Sequence, residues 1–145
     1  MLSYALVAAQ FALLAAIVVP WSAADLHWPS MPGVLAIAAG LAFGAWALTA
    51  NRPGNFNIRP DPKDDGRLAT AGPYRMVRHP MYGAVLLVAF GVCLAYGTPW
   101  RWLAWLALSG VLHAKATIEE AALSRRHPDY ADYAKRTKRI IPFVW

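Results

Sequence analysis

The side chains best suited to chemistry concentrate in residues 72–83, Gly-Pro-Tyr-Arg-Met-Val-Arg-His-Pro-Met-Tyr-Gly, which join a proline-rich polar stretch to an apolar run. Two arginines, one histidine and two tyrosines stand close together here. The opening Gly-Pro is a turn signal, and Pro80 suits the first position of the helix that follows. We therefore expect Arg78 and His79 at a helix N-terminus, where free backbone N–H groups favour an anionic ligand.

A second set of charged groups lies far downstream, around Glu119 and Glu120. From Lys115 to Arg126 there is no glycine or proline, so a helix is predicted to run through this segment. At about 100° per residue its two polar stripes are His113 with Thr117, Glu120 and Ser124, and Lys115 with Glu119 and Arg126. The glutamates are anions for a cationic or hydroxyl-bearing ligand, and Lys115 and Glu119 are also spaced as an intrahelical ion pair.

The elements that must position these groups are apolar helices, because 58% of the residues are hydrophobic and only 15% are charged. Four apolar runs are long enough to cross or nearly cross a bilayer: 2–19, 33–50, 81–96 and 100–114. The last two are short and should form a helical hairpin. A cleaved signal peptide ending near residues 22–24 is the alternative for the first run. The predicted fold is an all-α integral membrane protein with about four transmembrane helices, in one domain of residues 1–145.

The 14 Lys and Arg residues fall into two groups, six in residues 51–80 and seven in residues 115–145, with Arg101 alone between them. Because basic residues collect on the cytoplasmic side of spanning helices, both groups and both termini are predicted to be cytoplasmic, in a bacterial-type inner membrane. The basic stretches contain no recognised nucleic-acid-binding module, so no nucleic-acid partner is expected. The single cysteine, Cys93, excludes an intramolecular disulfide.

The spacing of the remaining reactive residues disfavours several kinds of site. The four histidines stand at scattered positions without close ligand spacing, so no metal site is predicted. There is no strand followed by G-x-G-x-x-G, so any nucleotide-like cofactor must be held by helix ends and loops. No nucleophile with a paired base is evident, which argues against covalent hydrolase chemistry.

The motif residues also carry a family resemblance, in a pattern that continues to the C-terminal part of the chain. The pattern is Leu68-x-Thr70-x-Gly72-Pro73-Tyr74-x-x-x-Arg78-His79-Pro80-x-Tyr82, then Glu119-Glu120, Tyr130-x-x-Tyr133 and Ile141-Pro142. Over residues 50–145 it resembles the isoprenylcysteine carboxyl methyltransferase family, integral-membrane enzymes that use S-adenosylmethionine and are similar to phospholipid N-methyltransferases. The resemblance implies a cofactor-binding core in residues 51–145, which follows the two N-terminal spans that the apolar runs predict in residues 1–50.

The same resemblance implies roles for individual side chains. Cofactor contacts fall on Arg67, Leu68, Ala69, Tyr74, His79, Pro80, Met81, Tyr82, Glu119 and Glu120. Catalytic or substrate-anchoring roles fall on Arg78, Lys115 and Glu120, with the lysine standing where the family has an arginine. A second departure is Ala84, at a position that is usually glycine, while Gly83 directly follows the last tyrosine of the motif.

The implied reaction is transfer of a methyl group from S-adenosylmethionine to a lipophilic small molecule or prenylated substrate that enters from the bilayer. Such an in-line displacement needs alignment and desolvation. We expect the cofactor pocket on the cytoplasmic side, closed by the C-terminal helix and tail in residues 130–145. The acceptor group, a carboxylate or a lipid amine, stays open, as does the oligomeric state. Two other functions also stay open: an NADPH-dependent reductase of the sterol-reductase type and a non-catalytic membrane scaffold.

Overall fold

A computed structural model describes residues 1–21, 28–51 and 68–142 of this chain. They form α-helices in the order α1 (Leu2–Val18), α2 (Met31–Ala50), α3 (Pro80–Tyr96), α4 (Pro99–Arg126) and α5 (Tyr130–Arg136), with a turn of 3-10 helix at Gly72–Arg75. Within these ranges, extended pairing is limited to one isolated parallel bridge between Val77 and Lys138. The predicted all-α fold is thus confirmed for the described residues.

Prolines and a glycine stand at the ends of α3 and α4, and Pro80 begins α3 as the sequence predicts. Pro80 and Pro99 stand at the start of α3 and α4, where the missing N–H would be unpaired anyway and the ring favours a helical φ. Helix α3 ends at Gly97, whose φ of 66° is a left-handed conformation that glycine adopts without strain. Helix α4 continues unbroken for 28 residues, or about 42 Å. The predicted extension of this helix beyond its apolar part is confirmed.

Helices α1, α2 and α3 are apolar and differ in whether they are long enough to cross a bilayer. Helix α2 is long and apolar enough to cross a bilayer, whereas α1 and α3 are apolar but have 17 residues each. The bounds of all three agree with the predicted apolar runs to within two residues. Composition and the full-length apolar helix α2 therefore support association with a membrane, while the number of spans stays a prediction.

The most extensive helix contact joins α2 to α3 and depends on glycines. A Cβ atom built on Gly40 would lie 2.7 Å from Cγ2 of Val88, and one built on Gly91 would lie 2.7 Å from the backbone nitrogen of Ile37. Side chains cannot approach so closely, so these glycines allow the two backbones to come together. Gly40 and Gly44 of α2 thus face α3 inside the protein. This contact fixes α3 and, with it, the motif where α3 begins.

Helix α1 is tied to α4 by a buried arginine. Arg101 is 1% exposed, and its Nε and Nη2 atoms donate to the carbonyl oxygens of Ile17 (2.9 Å) and Val19 (3.2 Å). The last carbonyls of a helix lack partners within it, so Arg101 satisfies the end of α1 from the first turn of α4. Its guanidinium also lies over the rings of Tyr96 and Trp100, at 5.2 and 4.7 Å from their centroids.

Candidate functional site

The C-terminal tail pairs with the motif through backbone hydrogen bonds. The N–H groups of Arg78 and His79 donate to the carbonyl oxygens of Lys138 (2.8 Å) and Arg139 (3.0 Å), and the N–H of Lys138 donates to the carbonyl of Met76 (2.9 Å). A residue that precedes proline is disfavoured in a helix, so His79 stays outside α3, with φ −122° and ψ 61°, and its N–H is available to a neighbour. The tail is therefore part of the structure of the motif itself.

Glu120 on α4 is the point where three segments of the chain meet. Its Oε1 lies 2.9 Å from Nε of Arg78 and 3.0 Å from Nε2 of His79, and its Oε2 lies 3.0 Å from Nη2 of Arg139. Burial alone would raise the pKa of Glu120, but hydrogen bonds from His79, Arg78 and Arg139 outweigh it and hold this pKa at about 2. The carboxylate is ionised at neutral pH and joins the motif, α4 and the tail.

His79 lies between both glutamates and is only 5% exposed. Besides its contact with Glu120, its Nδ1 lies 3.6 Å from Oε2 of Glu119. Burial lowers the pKa of His79, but the hydrogen bonds and charges of the two glutamates outweigh burial, so this pKa is raised. The ring also stacks on that of Tyr82 with centroids 5.2 Å apart. The contacts with both glutamates and with Tyr82 fix the orientation of the His79 ring.

Glu119 is the more accessible of the two carboxylates. Its side chain is 31% exposed, against 18% for Glu120, and its Oε2 accepts a hydrogen bond from the Tyr82 hydroxyl at 2.9 Å. Tyr74, on the 3-10 turn, lies close enough to be affected by this charge: burial raises the pKa of Tyr74 to about 12, and Glu119 adds to the effect. Glu119 is therefore the carboxylate best placed to bind an ammonium or hydroxyl group of a ligand.

Lys115 lies one turn before the glutamates and is only 1% exposed. Its Nζ donates to Oε1 of Gln10 on α1 and lies 5.4 Å from the centroid of the Tyr82 ring. A buried ammonium needs polar or aromatic partners, and Gln10 supplies one from a largely apolar helix. The polar network thus runs from α1 through Lys115 and Tyr82 to Glu119.

The structure brings part of the predicted site together by direct contacts. The residues that touch one another are Arg78, His79, Tyr82, Glu119 and Glu120. Tyr74 is held beside them because its carbonyl accepts the Tyr133 hydroxyl at 2.8 Å. The others flank the cluster: Leu68 and Ala69 are half-buried before the 3-10 turn, Pro80 is buried, and Met81 is half-buried in the first turn of α3. Arg67 lies outside the described residues.

Three contributors to the network are not predicted from the sequence: Gln10, Thr137 and Arg139. Nη1 of Arg78 donates to the carbonyl of Thr137 at 2.7 Å, and Nη2 of Arg139 donates to Oγ1 of Thr117 at 3.0 Å as well as to Glu120. The polar stripe predicted on α4 is the face that Arg139 contacts. The stripe therefore signals that a polar partner exists, but not which residue supplies it.

Gly83 and Ala84, which follow the motif, pack against different parts of the chain. A Cβ atom built on Gly83 would lie 3.0 Å from the carbonyl oxygen of Ile140, so a side chain there would press on the tail. Ala84 is buried on the other side, where its Cβ lies 3.3 Å from a Cβ built on Gly44 of α2. In this chain a close approach to the tail therefore lies at Gly83.

The region from residue 28 to 129 matches the model of a family described as phospholipid methyltransferase. The chain belongs to the phospholipid methyltransferase family. The resemblance drawn from the motif is confirmed at this level. The region shared with the phospholipid methyltransferases contains α2 to α4, the motif and both glutamates. Helix α1, which carries Gln10, precedes this region, and α5 and Arg139 follow it.

Two named relatives are similar to about half of this chain. The nickel-cobalt-cadmium resistance protein NccN of Alcaligenes xylosoxydans xylosoxydans is 40% identical over 79 residues, which are 52% of this chain and 36% of the relative. The cobalt-zinc-cadmium resistance protein CzcN of Cupriavidus metallidurans is 35% identical over 82 residues, 55% of this chain and 38% of the relative. The match therefore spans less than two-fifths of the length of either relative. No solved structure matches the chain.

Proposed function

We propose that this protein is an S-adenosylmethionine-dependent methyltransferase of the bacterial inner membrane that methylates a lipophilic acceptor. The observation that carries the proposal is the meeting of the Arg78–His79 pair with Glu119 and Glu120, at distances from 2.9 to 3.6 Å. Family membership supports methyl transfer as the reaction class. Neighbouring cationic and anionic pairs suit a cofactor that carries both a carboxylate and an ammonium.

The donor set of the site fits this cofactor. Glu119, the accessible carboxylate, would hold the ammonium or the ribose hydroxyls. Helix α3 begins at Pro80 without a side-chain cap, so the N–H groups of its first turn suit a carboxylate. The cofactor supplies the methyl group, while the chain binds it, aligns it with the acceptor and excludes water.

The acceptor would enter on the side of Lys115, which lies on the apolar side of the glutamates between α1 and Tyr82. Its ammonium suits a negative group of the acceptor. That group is either the carboxylate to be methylated, as in isoprenylcysteine-type acceptors, or the phosphate beside a lipid amine. With both termini cytoplasmic, the cofactor arrives from the cytoplasm and the acceptor from the bilayer.

The test uses the full chain purified in detergent. Calorimetry measures binding of S-adenosylmethionine, and mass spectrometry follows the transfer of its labelled methyl group into a lipid extract. We expect Glu119→Gln, which removes one negative charge without changing the shape of the side chain, to weaken cofactor binding by about tenfold or more. Asp132→Asn is the matched control, because Asp132 forms an exposed ion pair with Lys135, and it should leave binding unchanged.

Two outcomes would count against the proposal. Folded wild-type protein that binds no S-adenosylmethionine at millimolar concentration would contradict it directly. Saturable binding of NADPH in preference to S-adenosylmethionine would favour the reductase instead.

A role in metal resistance is a second candidate, favoured by the similarity to NccN and CzcN. Expression of the full chain in a metal-sensitive bacterium should then raise tolerance to cobalt or cadmium. If methyl transfer is the cause, Glu119→Gln should lose the protection and Asp132→Asn should keep it. Protection that survives Glu119→Gln would separate the resistance from the proposed reaction.

A further inference from the structure

Helix α5 carries two buried tyrosines whose hydroxyl groups differ in their hydrogen bonding. Tyr130 and Tyr133 are 3% and 6% exposed, with ring centroids 6.0 Å apart. The Tyr133 hydroxyl donates to the carbonyl of Tyr74. The Tyr130 hydroxyl is buried and has no hydrogen-bond partner in the part of the chain that the structure describes. A buried hydroxyl without a partner costs desolvation free energy that phenylalanine would avoid, so this tyrosine needs an explanation.

The side chain of Tyr130 lies within the influence of the charged cluster around Glu120. Arg78, which pairs with Glu120, donates to the carbonyls of Ala134 and Thr137, one and two turns further along the chain from Tyr130. Burial raises the pKa of Tyr130, and the charge of Glu120 raises it further against an opposing effect of Arg78. The hydroxyl is therefore protonated and is a donor in need of an acceptor.

A second unsatisfied donor lies on the tail. Nε of Arg139 is buried and has no partner among residues 1–21, 28–51 and 68–142, although Nη2 of the same guanidinium binds Glu120 and Thr117. Both donors belong to residues next to the Glu120 cluster, and both follow the region that matches the family. Buried donors without a protein acceptor indicate a ligand that carries acceptor oxygens.

We infer that the Tyr130 hydroxyl, together with Nε of Arg139, donates to the carboxylate of S-adenosylmethionine. The inference rests on the proposed function. A carboxylate accepts several hydrogen bonds at once, and the guanidinium groups of Arg78 and Arg139 in the same cluster favour its charge. The C-terminal segment then binds the cofactor directly, in addition to closing the site.

The experiment compares Tyr130→Phe with Tyr133→Phe in the full chain. Thermal unfolding is measured without ligand, and calorimetry measures binding of S-adenosylmethionine and of its decarboxylated analogue. We expect Tyr130→Phe to be at least as stable as the wild type and to bind S-adenosylmethionine at least about tenfold more weakly. Its affinity for the decarboxylated analogue should be unchanged. Tyr133→Phe, which loses its bond to Tyr74, should be less stable, and any loss of affinity should be the same for S-adenosylmethionine and for the decarboxylated analogue.

Each of the other outcomes decides against the inference. Equal affinity of the wild type and Tyr130→Phe for S-adenosylmethionine would overturn it. So would an equal loss for both compounds, because the missing bond would then not involve the carboxylate. A lower unfolding temperature of Tyr130→Phe would show that the hydroxyl has a partner within the protein. Wild-type protein that binds neither compound contradicts the proposed function itself, and this inference falls with it.

Discussion

Replacing Glu120 by glutamine removes the one negative charge that Arg78, His79 and Arg139 share. The side chain of Glu120 is 18% exposed, and those of its three partners are 14%, 4% and 17% exposed. Because solvent reaches all four groups only slightly, water cannot replace the lost carboxylate. We therefore expect Glu120→Gln to lower the free energy of unfolding substantially at neutral pH.

The size of the loss follows from the pKa of the carboxylate. A shift from 4.5 to about 2 on folding corresponds to about 3 kcal/mol of stability at pH 7. Removing one partner of a buried ion pair costs about 3–5 kcal/mol, because the other charges stay buried. The two estimates agree, so Glu120→Gln should cost at least about 3 kcal/mol.

Denaturant titration of the full chain in mixed micelles, followed by circular dichroism, measures this loss. Since the folded pKa is depressed, the stabilisation is complete above pH 4.5 and disappears as the pH falls towards about 2. The difference between wild type and Glu120→Gln should therefore shrink strongly between neutral pH and about pH 3. Glu119→Gln is the control, and its smaller loss should reflect one hydrogen bond with Tyr82.

Two results would refute this reasoning. A loss below about 1 kcal/mol at pH 7, the range of an exposed ion pair, would mean that the cluster is open to water. A loss that stays constant from neutral pH to pH 3 would mean that packing, and not the charge of Glu120, holds the three segments together.

Three further predictions concern other parts of the same structure. The raised pKa of His79 adds stability that is complete below pH 6.5 and is lost as the pH rises through the folded value. Unfolding titrations from pH 6.5 upwards should therefore show a decline that His79→Gln lacks. Deletion of residues 138–145 removes the carbonyl groups that accept hydrogen bonds from the backbone of the motif. Calorimetry should then show cofactor binding weakened by at least about tenfold, or roughly 1.4 kcal/mol. Unchanged affinity would mean that the tail serves only as an anchor. Gly40→Leu should prevent the approach of α2 to α3 and lower the yield of folded protein in size-exclusion chromatography, whereas Gly44→Ala, with its nearest neighbour at 3.3 Å, should be tolerated.

The parts of the fold that could be predicted depend on residues that lie close together in the sequence. The start of α3 at Pro80, the turn at Gly97 and the unbroken course of α4 each depend on residues that favour or break a helix within a few positions. The polar stripe on α4 followed from helical periodicity, and Arg139 lies against Thr117 and Glu120 on that stripe. Of the residues in the motif, Arg78, His79 and Tyr82 contact the two glutamates near the start of α3, while their roles stay predictions.

The partners across the fold could not be predicted, because no local pattern encodes them. Gln10 precedes Lys115 by 105 residues, and their contact exists only because α1 packs on α4. Arg101 was visible in the sequence as an isolated positive charge, but its bonds to the end of α1 need the tertiary structure. Likewise, only the packing of α5 distinguishes the two tyrosines on that helix.

The pairing of the tail with the motif also determines when the site can form during synthesis. Thr137, whose carbonyl accepts from Arg78, is added 59 residues after that arginine, and Arg139 follows two residues later. Before that moment a ribosome-bound chain carries the motif without its backbone partners and Glu120 without its contact with Arg139. A chain that stops early therefore has its apolar helices but lacks the contacts that complete the cluster around Glu120.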